Sequence, residues 1–136
     1  MTALAIDLDA VLGDTRPLWD AWLADAERRH SVDPARLDEQ LPNWRTLLTR
    51  FAEDHAPVYL RPNAQASAAL RRLQAEGVRL GVFTDAPEEL ARIALSQLGA
   101  ARRIEALEAG PGALERLLVT LGPDARVVHA IADLHS

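Results

Sequence analysis

Apolar residues fall into two rhythms along the chain. Residues 3–8 are an almost unbroken apolar run that closes on Asp7 and Asp9, the pattern of a buried strand. Residues 16–30 then place Leu18, Trp19, Trp22, Leu23 and Ala26 at helical spacing behind Pro17. Asp33-Pro34 is a capping residue followed by proline at the first helical position, and predicts a short helix to about Leu41. Asn43 is placed to cap a third helix, with Trp44, Leu47, Leu48 and Phe51 on one face. Residues 56–62, which hold Pro57 and Pro62, read as a connector.

Beyond Asn63 the chain alternates. A helix turns Ala66, Ala69, Leu70 and Leu73 inward, and Gly77 stands where a left-handed terminating residue belongs. Residues 78–83 predict a second buried strand, and Pro87 opens a helix that stops at Gly99. Residues 103–107 are a weaker strand. Gly110-Pro111-Gly112 is a turn. A helix carrying Leu114, Leu117, Leu118 and Leu121 stops at Gly122, and residues 125–132 predict the fourth strand. Strands alternating with helices predict an α/β, three-layer, Rossmann-like parallel sheet with right-handed crossovers. Residues 14–60 break the alternation, being helical throughout. They predict a small all-helical cap insert above a core made of 1–13 and 61–136. All three tryptophans, Trp19, Trp22 and Trp44, fall in this insert. Either they are its own core, or one of them faces a ligand.

Composition narrows the chemistry. At 136 residues the chain holds one domain with room for an insert. It has no cysteine, which excludes disulfides, thiolate nucleophiles and cysteine-based zinc sites. It has no lysine either, so every fixed cation is an arginine fork. A net charge of −5 without a basic run argues against a nucleic-acid partner. No apolar run reaches the 18 residues or so of a membrane span, and residues 1–7 lack the basic start of a signal peptide. A cytoplasmic protein is expected.

Ligands of open parallel sheets bind beyond the carboxyl ends of the strands. Asp7-Leu8-Asp9 follows the first strand, Thr84-Asp85 the second, and His129 and Asp133 the fourth. Two aspartates two apart on extended chain share a face, and carboxylates that close repel each other. Such a pair serves nucleophilic attack by one member and proton transfer by the other. It also serves a hard cation, Mg²⁺ by preference, shared with a substrate phosphate. The plainer use is two strand-end aspartates accepting from loop amides.

The stretch Ala5-Ile6-Asp7-Leu8-Asp9-Ala10-Val11-Leu12 resembles motif I of the haloacid dehalogenase (HAD) superfamily. The strand closing in Phe83-Thr84-Asp85 resembles motif II, and the insert occupies the place of the small helical cap of some members. The resemblance spans nearly the whole chain. It implies Mg²⁺-dependent hydrolysis of a small phosphorylated metabolite through an aspartyl-phosphate. In that scheme Asp7 is nucleophile and metal ligand. Asp9 is general acid/base, with its main-chain carbonyl on the metal. Thr84 binds the transferring phosphoryl group. Arg61, in the connector returning from the insert, is a further candidate for the phosphate. Asp133 matches the second acid of motif IV and His129 falls where its first acid belongs, which makes both further candidate metal ligands.

Three departures stand beside the resemblance. The lysine or arginine of motif III has no clear counterpart. Gly110-Pro111-Gly112 occupies its loop, and Arg102, Arg103 and Arg116 are the nearest cations. His129 replaces a carboxylate. The sequence stops at Ser136, before the last helix and strand usual after motif IV, so a homodimer covering the open edge is expected. Loss of two charge-stabilising contacts, each worth about 2.7–4 kcal/mol, separates an enzyme from its relic. The alternative is therefore a catalytically degenerate HAD-fold protein that binds a ligand or a partner without turnover.

Overall fold

The computed structural model describes residues 2–135. Four strands, β1 (Ala3–Asp7), β2 (Arg79–Thr84), β3 (Ala106–Ala109) and β4 (Ala125–Val128), form one sheet in the order β3-β2-β1-β4. Every pairing is parallel, with Ile6 opposite Val82 on one side and Val128 on the other. The chain builds outward from β1 through β2 to β3, then returns to lay β4 on the far side of β1. The reversal makes the gap between β1 and β4 the topological switch point, with Asp7 at its rim.

The period-two pattern assigns each face its helices. Leu4, Ile6, Leu80, Val82 and Val128 belong to the large core shared with α4 (Ala64–Ala75) and α5 (Glu88–Gln97). The opposite face presents Ala3 and Ala5 to Leu117 and Leu121 of α6 (Ala113–Leu121). Small residues there allow a close approach. A Cβ on Gly81 would stand 2.8 Å from Leu117 Cδ1, and overpacking of this kind costs about 1–3 kcal/mol. The α/β three-layer arrangement follows.

Between β1 and α4 come α1 (Arg16–His30), the short α2 (Leu37–Gln40) and α3 (Trp44–Tyr59). Asp33 and Asn63 act as N-caps, accepting from the amides of Ala35 and Ala66. Asn43 precedes α3 without a side-chain bond of this kind. The connector expected over 56–62 is shorter than its prolines suggested. Pro57 sits inside the last turn of α3, buried Ala56 keeps that turn on the core, and the Leu60 amide closes it onto the Ala56 carbonyl.

Two other boundaries move. The weak third strand begins at Ala106, because 101–103 form a 3₁₀ turn. β4 ends at Val128, and Ile131–His135 form another 3₁₀ turn in place of further strand. No helix among the described residues is long and apolar enough to cross a membrane.

Candidate active site

β1 ends at Asp7, and the chain enters a single π-helical turn, Leu8–Leu12. Leu8, Val11 and Leu12 are buried beneath it. Asp9 therefore lies on a turn, not on the strand, and the two carboxylates do not share a strand face as the i, i+2 spacing suggested. Both still line one cleft at the carboxyl end of the sheet, with a volume of 720 Å³. Asp85, Gly110 and Pro111 lie on its core side, and Trp19, Trp44, Arg36 and Arg45 on its helical side.

Asp7 is partly exposed, with its side chain 25% accessible. Its Oδ1 accepts from the Ala10 amide at 3.3 Å. Its Oδ2 lies 3.2 Å from His129 Nδ1, whose ring stands edge-on to Phe83. Because β4 stops one residue before His129, the imidazole reaches across the switch point to Asp7. With its proton on Nδ1, His129 donates to Oδ2, so each Asp7 oxygen meets one donor while the carboxylate stays partly exposed.

Asp9 is held from two sides. Oδ1 accepts from the Thr15 amide at 2.8 Å and the Thr15 hydroxyl at 2.6 Å. Oδ2 accepts from the Thr84 hydroxyl at 2.7 Å. Thr15 and Thr84 are the buried polar residues of the described chain, at 1% and 2% exposure. Burial of a hydroxyl requires a partner, and each finds it in Asp9. Thr84 Oγ1 also accepts from the Ala86 amide at 3.2 Å. Thr15 carries no motif, and only its position just before Pro17 and the α1 face could have marked it as a residue gripping Asp9.

The remaining candidates divide. Arg61 and Asp133 are exposed and do not line the cleft, Asp133 having moved onto the turn after β4. Arg116, nearest to the missing motif III cation, is committed to its own loop. Its guanidinium donates to Glu108 Oε1 at 2.9 Å and to the carbonyls of Ala109 and Pro111 at 2.6 and 2.5 Å. Arg103 donates to Gln74. The cations that do line the cleft come from the helical side and its hinge: Arg16, Arg36 and Arg45. Arg16 forms a two-pronged bond to Asp14. That bond lowers the Asp14 carboxyl below its ordinary value and raises Arg16, which Asp9 and Asp7 reinforce from further away.

Among the described residues no three His, Asp or Glu side chains gather as a metal site. Asp9 has both oxygens engaged, and His129 offers nitrogen, which suits Mg²⁺ poorly. Asp7 remains, an oxygen donor at the cleft floor. Mg²⁺ is commonly held by one or two carboxylates together with substrate phosphates and water. The residues thus fit Mg²⁺ as the companion of a bound phosphate, and not as an ion caged by protein alone.

Neither a family model nor a curated protein matches the chain. Solved structures share its fold. A Thermotoga maritima protein assigned as a β-phosphoglucomutase is 18% identical, with a TM-score of 0.62 over 99% of this chain and 82% of that one. A variant of CbbY from Rhodobacter sphaeroides, in complex with xylulose-(1,5)bisphosphate, is 14% identical, with a TM-score of 0.63 over 92% and 76%. A haloacid dehalogenase-like family hydrolase from Xanthomonas campestris is 12% identical, with a TM-score of 0.55 over 98% and 78%. The fold is therefore that of the HAD-like hydrolases, as the motif resemblance implied.

Proposed function

We propose that the protein hydrolyses a small phosphate monoester through an aspartyl-phosphate on Asp7. The observation that carries this reading is the position of Asp7: a partly open carboxylate at the end of the central strand, at the switch point, on the floor of a cleft. One Asp7 oxygen attacks phosphorus, and the bond from phosphorus to the ester oxygen breaks. Asp9 enters the step protonated on Oδ2, which accepts only from Thr84, passes that proton to the departing oxygen, then takes one back from the water that attacks the acyl phosphate. Inorganic phosphate leaves and the Asp7 carboxylate is restored. Mg²⁺, held by Asp7 and the Asp9 main-chain carbonyl with the substrate's own oxygens, would neutralise charge on the phosphoryl group.

The other residues position these two. His129 fixes the orientation of the Asp7 carboxylate. Thr15 and Thr84 hold Asp9 at the base of α1, so Thr84 serves the proton-transfer residue in place of the phosphate. The test is phosphate release from a panel of monoesters, with Mg²⁺ or with chelator, for the wild type and Asp7→Asn. Release that disappears in the variant supports the reading. Release that persists in Asp7→Asn refutes it.

One observation favours a second reading, binding without turnover. Arg116 is tied into its loop by three hydrogen bonds, and among the described residues the core side of the cleft then has no fixed cation of its own. A folded wild type that releases no phosphate from any ester would favour this reading.

A further inference from the structure

We propose that the ester taken by this cleft carries a flat nitrogen heterocycle, making it a nucleoside monophosphate whose base stacks on Trp19. The inference deepens the proposed function and relies on it only for where the phosphate end lies.

Three observations carry it. The first is a ring stack that stops at the cleft. Trp22, 2% exposed, stacks on Trp19 with centroids 5.5 Å apart and planes 23° from parallel. Trp44 meets Trp19 edge-on at 6.0 Å and 63°. Two buried rings thus fix Trp19, yet Trp19 is only half-buried and lines the cleft. A planar ligand ring would continue the stack at little ordering cost, because the platform is already rigid.

The second is distance along α1. Thr15, which clamps Asp9, and Trp19 are four residues apart and lie on one helix face. The backbone of the platform stands about one turn, ~5.4 Å, along the helix from Thr15, whose hydroxyl grips Asp9, and both Trp19 and the acid pair line the same cleft. A phosphate alone would leave most of a 720 Å³ cleft unfilled.

The third is charge. Each arginine of the cleft wall is already ion-paired: Arg16 with Asp14, Arg36 with Glu39, and Arg45 with Glu89 while also lying over Trp44. A second phosphate on the ligand would meet no unpaired guanidinium there. Carboxylates are in surplus. Asp38 uses only Oδ1, to accept from the Trp44 indole at 2.7 Å, and keeps Oδ2 for another donor. A base with ring or exocyclic N–H groups supplies donors, whereas a sugar bisphosphate supplies more anion.

The test is binding, measured by tryptophan fluorescence and calorimetry with adenosine monophosphate, adenosine and glucose phosphate. The first two quench and bind; glucose phosphate binds at least tenfold more weakly. Trp19→Ala weakens adenosine monophosphate by roughly tenfold to a hundredfold, the usual worth of one stacked base. Trp19→Phe keeps a ring and most of the affinity, and guards against a fold defect in the alanine variant. Glucose phosphate bound as tightly as the nucleotide overturns the proposal, as does unchanged nucleotide affinity in a folded Trp19→Ala. So does a folded wild type that binds no nucleotide. Nucleotide binding without hydrolysis of any ester sinks the hydrolase reading and leaves this one standing. Hydrolysis of aliphatic esters without nucleotide binding does the reverse.

Discussion

Thr84 Oγ1 lies 2.7 Å from Asp9 Oδ2 and donates to it, joining the end of β2 to the turn that follows β1. The hydroxyl is buried and also accepts from the Ala86 amide. Thr84→Val keeps the shape and removes both bonds. Hydrogen bonds to charged groups contribute about 1.5–3 kcal/mol, and chemical denaturation of the variant should show a loss of that order. A loss near zero, with a raised KM instead, would return Thr84 to the phosphate.

Arg116 shapes the cleft from outside it. Its fork holds Glu108 and the carbonyls of Ala109 and Pro111, and Pro111 is part of the cleft wall. Arg116→Ala should loosen this loop and raise KM several-fold, with kcat nearly unchanged. Arg116→Lys should behave like the alanine variant, because a point ammonium cannot reproduce three divergent donors. A large fall in kcat in Arg116→Ala that Arg116→Lys restores would instead show that Arg116 acts as a cation on the substrate.

The pair Asp14–Arg16 gives an acid-side signature. The hydrogen-bonded guanidinium holds the Asp14 carboxyl below its ordinary value. A depressed carboxyl contributes stability that is full above its unfolded-state value and is lost as pH falls through the folded value. Both groups are substantially exposed, so the contribution is small. Denaturation midpoints of Asp14→Asn should fall less steeply than those of wild type below about pH 4. Parallel curves would show that the pair contributes nothing.

α6 meets the sheet through small residues, Ala3 and Ala5 of β1 and Gly81 of β2. Gly81→Ala should destabilise by about 1–3 kcal/mol as Leu117 and Leu121 are pushed aside. An unchanged melting temperature would mean that the leucine tips move freely.

Much of this molecule is written locally. The strand and helix order follows from period-two and helical apolar spacing, and Asp33, Asn63 and Gly77 mark ends that depend on neighbours in sequence. The pairing of Asp7 with His129 spans 122 positions, and that of Asp9 with Thr84 spans 75. No periodicity encodes such contacts, although the rule that strand ends converge placed all four residues at one rim. Side-by-side carboxylates would need strand geometry for two residues past Asp7, where the chain already turns. Pro57 misled for a related reason: a proline late in a helix loses one hydrogen bond, and burial of Ala56 offsets it.

Acid-quenched single turnover, followed by intact mass and peptide mapping, tests the central claim most directly. With a hydrolysed ester in hand, the quenched wild type should gain the mass of one phosphoryl group on the peptide that holds Asp7, and Asp7→Asn should gain none. A phosphoryl group on another residue, or turnover with no covalent species at any quench time in wild type and undiminished rate in Asp7→Asn, would contradict it.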